Sequence, residues 1–378
     1  ETGNDMRGKL NDAISARSSK LFVAGVSGGT GLSTIQAKIA GNIGNDVLAH
    51  VKLRNAVTST EAVTGASGYR NLSGGTTDPD LTTALSLLVA QEYHFIAPAL
   101  SNTDVANVAS TNNLKRIKTH IDTYNSGLSA KLQQVIAAYT GTLSAATASS
   151  SDADSIANAT FGELILCMGG RGLPATLMGR EVGGRLAAES LDPAANRIGE
   201  LLDGVVGAAD VIADTPTQAE SETALGAGVS LVSYTPQGLP VLVRAVTTHS
   251  QYDTGGADRR LLDVQNVSAT YIVARDLRSF LPTEFPKAKV CKDVPDGEEP
   301  PPPGVIEERD IKGAVIGRLR TWERRGVIQK ARLAAAIADG SLIVKVNDSD
   351  PTQVDMVIPI SIVQPLAKMG VVVNRVPG

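Results

Sequence analysis

Residues 163–168 read ELILCM, a short and mainly apolar run that follows a loop rich in Ala, Ser and Asp. A run of this length is typical of a buried strand. The apolar run before it, Gln134–Tyr139, also predicts a strand, and the pattern after it, Pro174–Leu191, predicts a helix. Short apolar strands that alternate with helices indicate an α/β sheet covered by helices.

The alternation continues on both sides of this stretch. The predicted elements before it are a helix that begins at Asp78-Pro79, a strand over His94–Pro98 and a helix over Val105–Tyr124. The predicted elements after it are a helix capped by Thr215, strands over Val229–Tyr234 and Leu239–Val246, and an amphipathic helix over Val267–Phe280. We therefore expect a helix-covered mixed sheet in most of the chain.

The length of 378 residues exceeds what a single core usually supports, so the sequence predicts more than one domain. We expect an α/β body over residues 1–290, within which residues 1–77 show little regular pattern. Residues 291–304 are acidic and proline-rich and predict an exposed linker or loop. Residues 305–378 predict a small α+β C-terminal domain that ends in an extended arm, residues 364–378.

The composition argues against several classes of function. A net charge of −4 and a pI of about 5.7 give no basic field that would attract nucleic acid. No apolar run approaches the roughly 18 residues of a membrane span. The two cysteines and four histidines are widely separated, which gives no metal-ligand spacing and no disulfide framework. The sequence therefore predicts no cofactor, no metal, no direct nucleic-acid contact and no membrane insertion.

One stretch has the pattern of a catalytic motif. Gly25-Val26-Ser27-Gly28-Gly29 matches the G-x-S-x-G pattern of α/β-hydrolases, in which His249 and either Asp210 or Asp214 would complete a triad. The simpler interpretation is a glycine-rich turn, because glycine is common in this chain and chance matches are easy. We predict no catalytic residue and no enzyme, and keep a serine hydrolase that uses Ser27 and His249 as the alternative of another class.

Two features are candidates for contacts between protein chains. Basic residues cluster around Trp322 and predict a cationic helix face that meets an acidic neighbouring subunit; they are Arg318, Arg320, Arg324 and Arg325. The C-terminal arm is β-prone and predicts a strand that pairs with the sheet edge of another chain; its candidate contact residues are Val371, Val372, Val373 and Val376.

The order of elements over residues 78–378 resembles one family, the contractile tail sheath proteins of myophages, especially the Mu-like type. Individual motifs in this resemblance are weak, and their order and spacing make it specific. They are Asp78-Pro79-Asp80-Leu81, Tyr93–Pro98, Gly228-Val229, Val243–Thr248, Val267–Phe280, Gly340–Val344, Val357–Ile360 and Pro365. The region before residue 78 fits the family least well, and the family's N-terminal arm is not evident there, which matches the absence of an initiator Met at residue 1.

The resemblance implies a structural protein of the virion. Members of this family have a central domain called subtilisin-like by fold analogy, yet they are not proteases. They polymerise helically around a tail tube and contract to drive the tube through the host envelope for genome ejection. The implied partners are further copies of the chain, the tail tube protein, and baseplate and tail terminator proteins. Assembly would take place in the host bacterial cytoplasm. The sheath of a tailocin or of a secretion-type contractile system is the related alternative.

Overall fold

A computed structural model describes the main body of the chain. The described residues are 78–107, 112–126, 130–151, 159–168, 174–205, 211–250, 261–295 and 297–365, with Ile156, Gly256 and short strands between residues 25 and 71. Contacts divide the chain into two units. Unit 1 comprises residues 1–184 and 197–263, and unit 2 comprises residues 185–196 and 264–378.

Unit 1 is built on a five-stranded mixed sheet with the strand order β11-β10-β9-β8-β7. Its strands are β7 (Phe95–Ile96), β8 (Gln134–Tyr139), β9 (Gly162–Leu166), β10 (Val229–Tyr234) and β11 (Pro240–Arg244). Strands β7 to β10 are parallel, and β11 pairs antiparallel with β10 at one edge. The predicted helix-covered mixed sheet is confirmed.

The helices of unit 1 connect these strands. They are α1 (Thr82–Leu87), followed by a 3-10 turn (Leu88–Ala90), α2 (Asn102–Ala106), α3 (Asn113–Tyr124), α4 (Leu143–Ser151), α5 (Pro174–Leu191, whose last residues belong to unit 2), α6 (Val211–Asp214) and α7 (Gln218–Gly226). The six further strands near the N-terminus form two-stranded sheets. They are β1 (Gly25–Ser27), β2 (Thr34–Gln36), β3 (Leu48–Ala49), β4 (Lys52–Arg54), β5 (Glu61–Val63) and β6 (Arg70–Asn71).

One face of the sheet packs against helices. Alternate residues of each strand point to the same face, and the main core contains Val135, Ala137 and Tyr139 of β8 with Leu164 and Leu166 of β9. Buried residues of α1 to α4 and α7 belong to the same core. These helices therefore cover one face, which agrees with right-handed crossovers between parallel strands that follow one another in sequence.

The other face of the sheet is also buried but carries polar groups. The Ser230 hydroxyl donates to Glu163 Oε1 at 2.7 Å and accepts from the backbone N–H of Val246 at 2.8 Å. Cys167 Sγ lies 3.0 Å from the Tyr234 hydroxyl. Because a buried carboxylate needs hydrogen bonds, the bond from the Ser230 hydroxyl stabilises Glu163 in the interior.

Several predicted helix limits are wrong because side-chain caps decide them. The predicted helix over Val105–Tyr124 is two helices, since Ser101 caps α2 and Asn112 caps α3 by accepting from Lys115 N–H. The predicted cap at Thr215 is also displaced. Thr217 and Glu220 form a reciprocal capping box, so α7 begins at Gln218.

The first helix also begins later than the Asp78-Pro79 pattern predicts. Its first residue is Thr82, whose backbone N–H bonds to Asp80 Oδ1 at 2.8 Å. Leu85 is its only buried residue.

Unit 2 is an α+β unit. Its elements are α8 (Val264–Glu284), β12 (Lys289–Cys291), β13 (Val305–Glu307), α9 (Glu308–Arg324), α10 (Lys330–Ala338), β14 (Ile343–Val346) and β15 (Val354–Val357). Strands β12 and β13 are parallel, and β14 and β15 form an antiparallel hairpin. A single apolar core joins α8, α9, α10 and β14, with Val315, Leu319 and Val327 fully buried.

The division between units differs from the predicted boundary near residue 290. Helix α8 packs with α9 in the core of unit 2, so the second unit begins at Val264 in that part of the chain. The proline-rich segment lies inside unit 2, where it connects β12 to its neighbour β13. Residues 292–304 are therefore a loop of unit 2, not a spacer between units. The predicted arm lies outside the described residues except for Gln364 and Pro365.

Candidate assembly surface

The cationic residues predicted around Trp322 lie on and just after α9, and they do not share one environment. Arg318 forms a two-pronged ion pair with Asp276 of α8, with Nε 2.7 Å from Oδ2 and Nη2 on Oδ1. Its guanidinium also lies 5.2 Å from the ring centroid of Phe280. Arg318 is therefore engaged within its own unit.

Asp276 organises this part of unit 2. Its Oδ2 also accepts from the Trp322 indole Nε1–H at 2.7 Å, and the Arg325 guanidinium lies 4.4 Å from the Trp322 ring centroid. Burial opposes the charged form of Asp276, but hydrogen bonds from Arg318 and Trp322 hold the pKa of this carboxyl below its ordinary value. The hydrogen bond to Asp276 likewise raises the pKa of Arg318.

Replacing Asp276 tests this network. Asp276→Ala is expected to lower the free energy of unfolding by about 2 kcal/mol, because it leaves the buried Trp322 N–H without an acceptor. The measurement is chemical denaturation followed by Trp fluorescence. Asp276→Asn, which keeps an oxygen acceptor, should recover part of the loss. Equal losses in the two variants would contradict this role for the acceptor.

The same network predicts a pH dependence. The pKa of Asp276 is lower in the folded state than in the unfolded state. Its ionised carboxylate therefore adds its full contribution to the free energy of unfolding above the unfolded pKa of about 3.9. It is lost as the pH falls through the folded pKa. The Asp276→Ala variant should therefore approach the stability of the parent chain only in strongly acidic solution.

Arg320 and Arg324 are exposed on the opposite side of α9 from its buried residues. They line a groove of about 350 Å³ between α9 and α10. Its lining residues are Arg320, Glu323, Arg324, Lys330, Leu333, Ala334 and Ile337. The groove thus has an apolar floor from α10 and a mainly cationic rim.

The sequence patterns missed Asp276 and Lys330 as members of this surface. Asp276 belongs to the polar stripe of an amphipathic helix, where a solvated carboxylate is the usual interpretation. The signal that was present is the single Trp of the chain, since a buried indole N–H needs an acceptor. Arg320 and Arg324 are exposed on α9, and their contact with an acidic neighbouring subunit stays a prediction. Val371, Val372, Val373 and Val376 lie outside the described residues.

The hairpin β14–β15 has an open edge. Asn347 N–H bonds across the hairpin to Gln353, whereas Val346 N–H points out of the hairpin to Glu308 Oε1 at 2.7 Å. Inward and outward backbone groups alternate along an antiparallel pair. The register Val346↔Val354 and Val344↔Met356 therefore turns the backbone groups of Val354 and Met356 away from β14.

No third strand pairs with this edge within the part of the chain that the structure describes. The side chains near it are exposed, with Val357 at 57% and Met356 at 39% of full exposure. An unpaired edge with exposed apolar side chains is suited to receiving another strand. The hairpin can therefore accept main-chain hydrogen bonds from an extended segment.

The residues of the alternative hydrolase site do not form the geometry that catalysis needs. Ser27 belongs to β1, where it pairs with Thr34 of β2 in a two-stranded antiparallel sheet. A nucleophile elbow needs the serine on a turn between a sheet strand and a helix. Asp214 is buried in α6, His249 follows β11, and Asp210 lies outside the described residues. The hydrolase interpretation is not favoured.

The described residues show neither a metal cluster nor the reversal of strand order at which open α/β sheets bind ligands. They contain no group of three or more His, Cys, Asp or Glu side chains that could hold a metal ion. Their strands β7 to β10 follow one another without the reversal of order at which open α/β sheets bind ligands. Among the same residues, no helix is long and apolar enough to cross a membrane.

No protein-family model and no curated protein matches the chain. The chain is similar to a solved sheath tail protein from Listeria innocua, with a TM-score of 0.48 and 14% identity over 83% of this chain and 73% of the other. A solved sheath tail protein from Desulfitobacterium hafniense is similar with a TM-score of 0.43 and 14% identity over 82% of this chain and 72% of the other. The chain is also similar to a chain in the structure of an anti-feeding prophage baseplate, with a TM-score of 0.43 and 12% identity over 93% of this chain and 99% of the other.

Proposed function

We propose that this chain is the structural subunit of a contractile tail sheath, which polymerises helically around a tail tube. The observation that carries the proposal is the open outer edge of β15 in unit 2, together with the β-prone sequence that follows it. The ordered sequence pattern over residues 78–378 supports the family assignment. In this proposal the chain is not an enzyme, and it acts through contacts with further copies of itself.

The contact between copies is a donated strand. The terminal arm, residues 364–378, leaves one copy and pairs with the edge of β15 in the next. Main-chain hydrogen bonds supply the affinity, and exposed apolar side chains at Met356 and Val357 provide packing for alternate side chains of the arm. A contact in which one surface binds a different surface of the next copy produces a ring where the rotation closes and an open helical assembly where it does not.

The wider assembly follows from the same proposal. The inner surface of the polymer meets a tail tube protein, and its ends meet baseplate and tail terminator proteins. Contraction changes the packing of many copies at once, each by a modest free-energy difference, and drives the tube through the host envelope for genome ejection. The chain then belongs to a virion and assembles in the host bacterial cytoplasm. A tailocin or secretion-type sheath would use the same contacts.

Electron microscopy of the purified full chain tests the proposal. Negative staining is expected to show tubes or stacked rings, and added tail tube protein should give tubes of a defined bore. A generic esterase assay on the same preparation is the control for the hydrolase alternative. A chain that stays monomeric at high concentration, with and without tube protein, would refute the sheath function. Esterase activity lost in Ser27→Ala would revive the hydrolase.

A further inference from the structure

The groove between α9 and α10 is a surface without an occupant inside the described chain. Leu333, Ala334 and Ile337 form its floor, and Arg320, Arg324 and Lys330 stand at its rim. Glu323 is the only carboxylate among the lining side chains. Arg324 donates one hydrogen bond, to Thr321 Oγ1 at 3.1 Å, which leaves its other N–H donors available. The groove is therefore suited to an extended, acidic segment.

An extended, acidic segment is present in unit 2 itself. The loop between β12 and β13 contains DGEEPPPPG at residues 296–304, and Glu298 and Glu299 are exposed. Four consecutive prolines, Pro300–Pro303, restrict the backbone and lower the entropy cost of binding in an extended form. Carboxylates pair well with arginine. The loop and the groove thus complement each other in charge.

The loop is fixed at the end of α9 that lies far from the groove. Asp293 Oδ1 accepts from Arg309 N–H at 2.8 Å, and Val294 N–H donates to Glu307 Oε1 at 2.8 Å. These bonds hold the loop at the N-terminus of α9. Arg320 and Arg324 lie 12 and 16 residues after Glu308, which corresponds to about 18 and 24 Å along the helix.

The loop does not occupy the groove of its own copy, since none of its described residues is among those that line the groove. Glu299 lies about five residues from each anchored end, at Val294 and Val305, so full extension takes it about 17 Å from the anchors. The groove begins at about that distance and extends beyond it. Unit 2 therefore has an acidic loop at one end of α9 and a cationic groove at the other, and a second copy is the occupant that this arrangement fits.

We propose that the acidic proline-rich loop of one copy docks in the α9–α10 groove of a neighbouring copy. Glu298 and Glu299 pair with Arg320 and Arg324, while the prolines pack on Ala334 and Ile337. The contact is head-to-tail, so it links each copy to the next in a ring or an open helix. It rests on the proposed function as a self-assembling subunit and adds a second, electrostatic link to the donated strand.

Charge reversal tests the contact. The groove variant is Arg320→Glu with Arg324→Glu, the loop variant is Glu298→Lys with Glu299→Lys, and the fourfold variant combines both. The matched control is Arg332→Glu with Lys312→Glu, two substitutions outside the groove with the same change in charge. Each variant is compared with the parent chain by sedimentation and negative staining, and thermal unfolding shows that the monomer is intact.

Each two-residue reversal is expected to raise the critical concentration for polymerisation at least tenfold, because it replaces attraction by repulsion at every contact. The control should change it less than threefold, and the fourfold variant should recover most of the loss. Polymerisation of the groove and loop variants at the concentration of the parent chain would overturn the docking proposal and leave the sheath function intact. The docking proposal would also be overturned if the fourfold variant had a critical concentration no lower than that of either two-residue variant. That result is expected if the groove is only solvated. Failure of the parent chain itself to polymerise would instead refute the sheath function, and the docking proposal with it.

Discussion

A chain that ends at Pro365 is expected to remain folded and to form no polymers. The cut keeps the last contacts that unit 2 makes in the described residues, including Asn266 Nδ2 with Gln364 Oε1 at 2.7 Å and Val363 N–H with Val327. It removes the β-prone segment Val371–Val376, which we propose as the donated strand. Since the donated strand supplies main-chain hydrogen bonds at every contact, its loss should abolish assembly and not merely weaken it.

Negative staining and sedimentation measure polymer, while circular dichroism and thermal unfolding report on the monomer. A chain of full length in which residues 366–378 are replaced by Gly and Ser controls for length, and it should behave like the truncated chain. Val372→Pro and Val373→Pro, tested singly, each remove one main-chain donor. In a strand only every second backbone N–H faces the neighbouring strand. One of the two proline substitutions should therefore impair assembly more than the other. Long polymers from the truncated chain would exclude the donated strand.

Glu181→Ala is expected to destabilise unit 1 by about 3–5 kcal/mol, the usual cost of breaking a buried ion pair from one side. Glu181 of α5 is completely buried, and its carboxylate accepts from Nη1 and Nη2 of Arg197, the second at 2.9 Å. Arg197 is 7% exposed. Without Glu181 the guanidinium stays in the interior with only Glu200 as a charged partner among the described contacts.

Two variants separate this cost from the general effect of a substitution. Glu200→Ala removes the other carboxylate on Arg197, but Glu200 is partly exposed, so a loss near 1 kcal/mol is expected. Glu181→Leu with Arg197→Met removes both charges and should cost less than Glu181→Ala alone. Urea unfolding of each variant gives the comparison. A double variant as unstable as Glu181→Ala would show that lost packing, and not an unpaired charge, causes the effect.

The secondary structure of the sheet was predictable where strands are buried on both faces. The strands Gln134–Tyr139 and Val229–Tyr234 and the helix Pro174–Leu191 have the predicted limits. The strand Gln134–Tyr139 is an almost continuous apolar run, which the sequence displays directly. Helix limits were less predictable, as at Thr217, because neighbouring Ser, Thr, Asn and Asp residues compete for the cap and the choice depends on which donor each can reach.

The extent of unit 2 could not be predicted from composition. The shift to an acidic, proline-rich sequence after residue 292 resembles a domain boundary, yet the two strands that flank it pair with each other. Helix α8 carries an apolar stripe that any neighbouring surface could bury. Its membership in unit 2 depends on which partner its side chains meet, and the core shared with α9 decides this.

The amino-acid sequence by itself determined the α/β class, the polar and apolar faces of the helices and the basic cluster around Trp322. These depend on local periodicity and residue type, which are properties of the chain alone. Only the tertiary structure decided that Arg318 pairs with Asp276, 42 residues away, while Arg320 and Arg324 face a groove. The physical reason is that a charged side chain at a given helix position either finds a partner on an adjacent element or stays in water. That outcome is fixed by packing between distant segments.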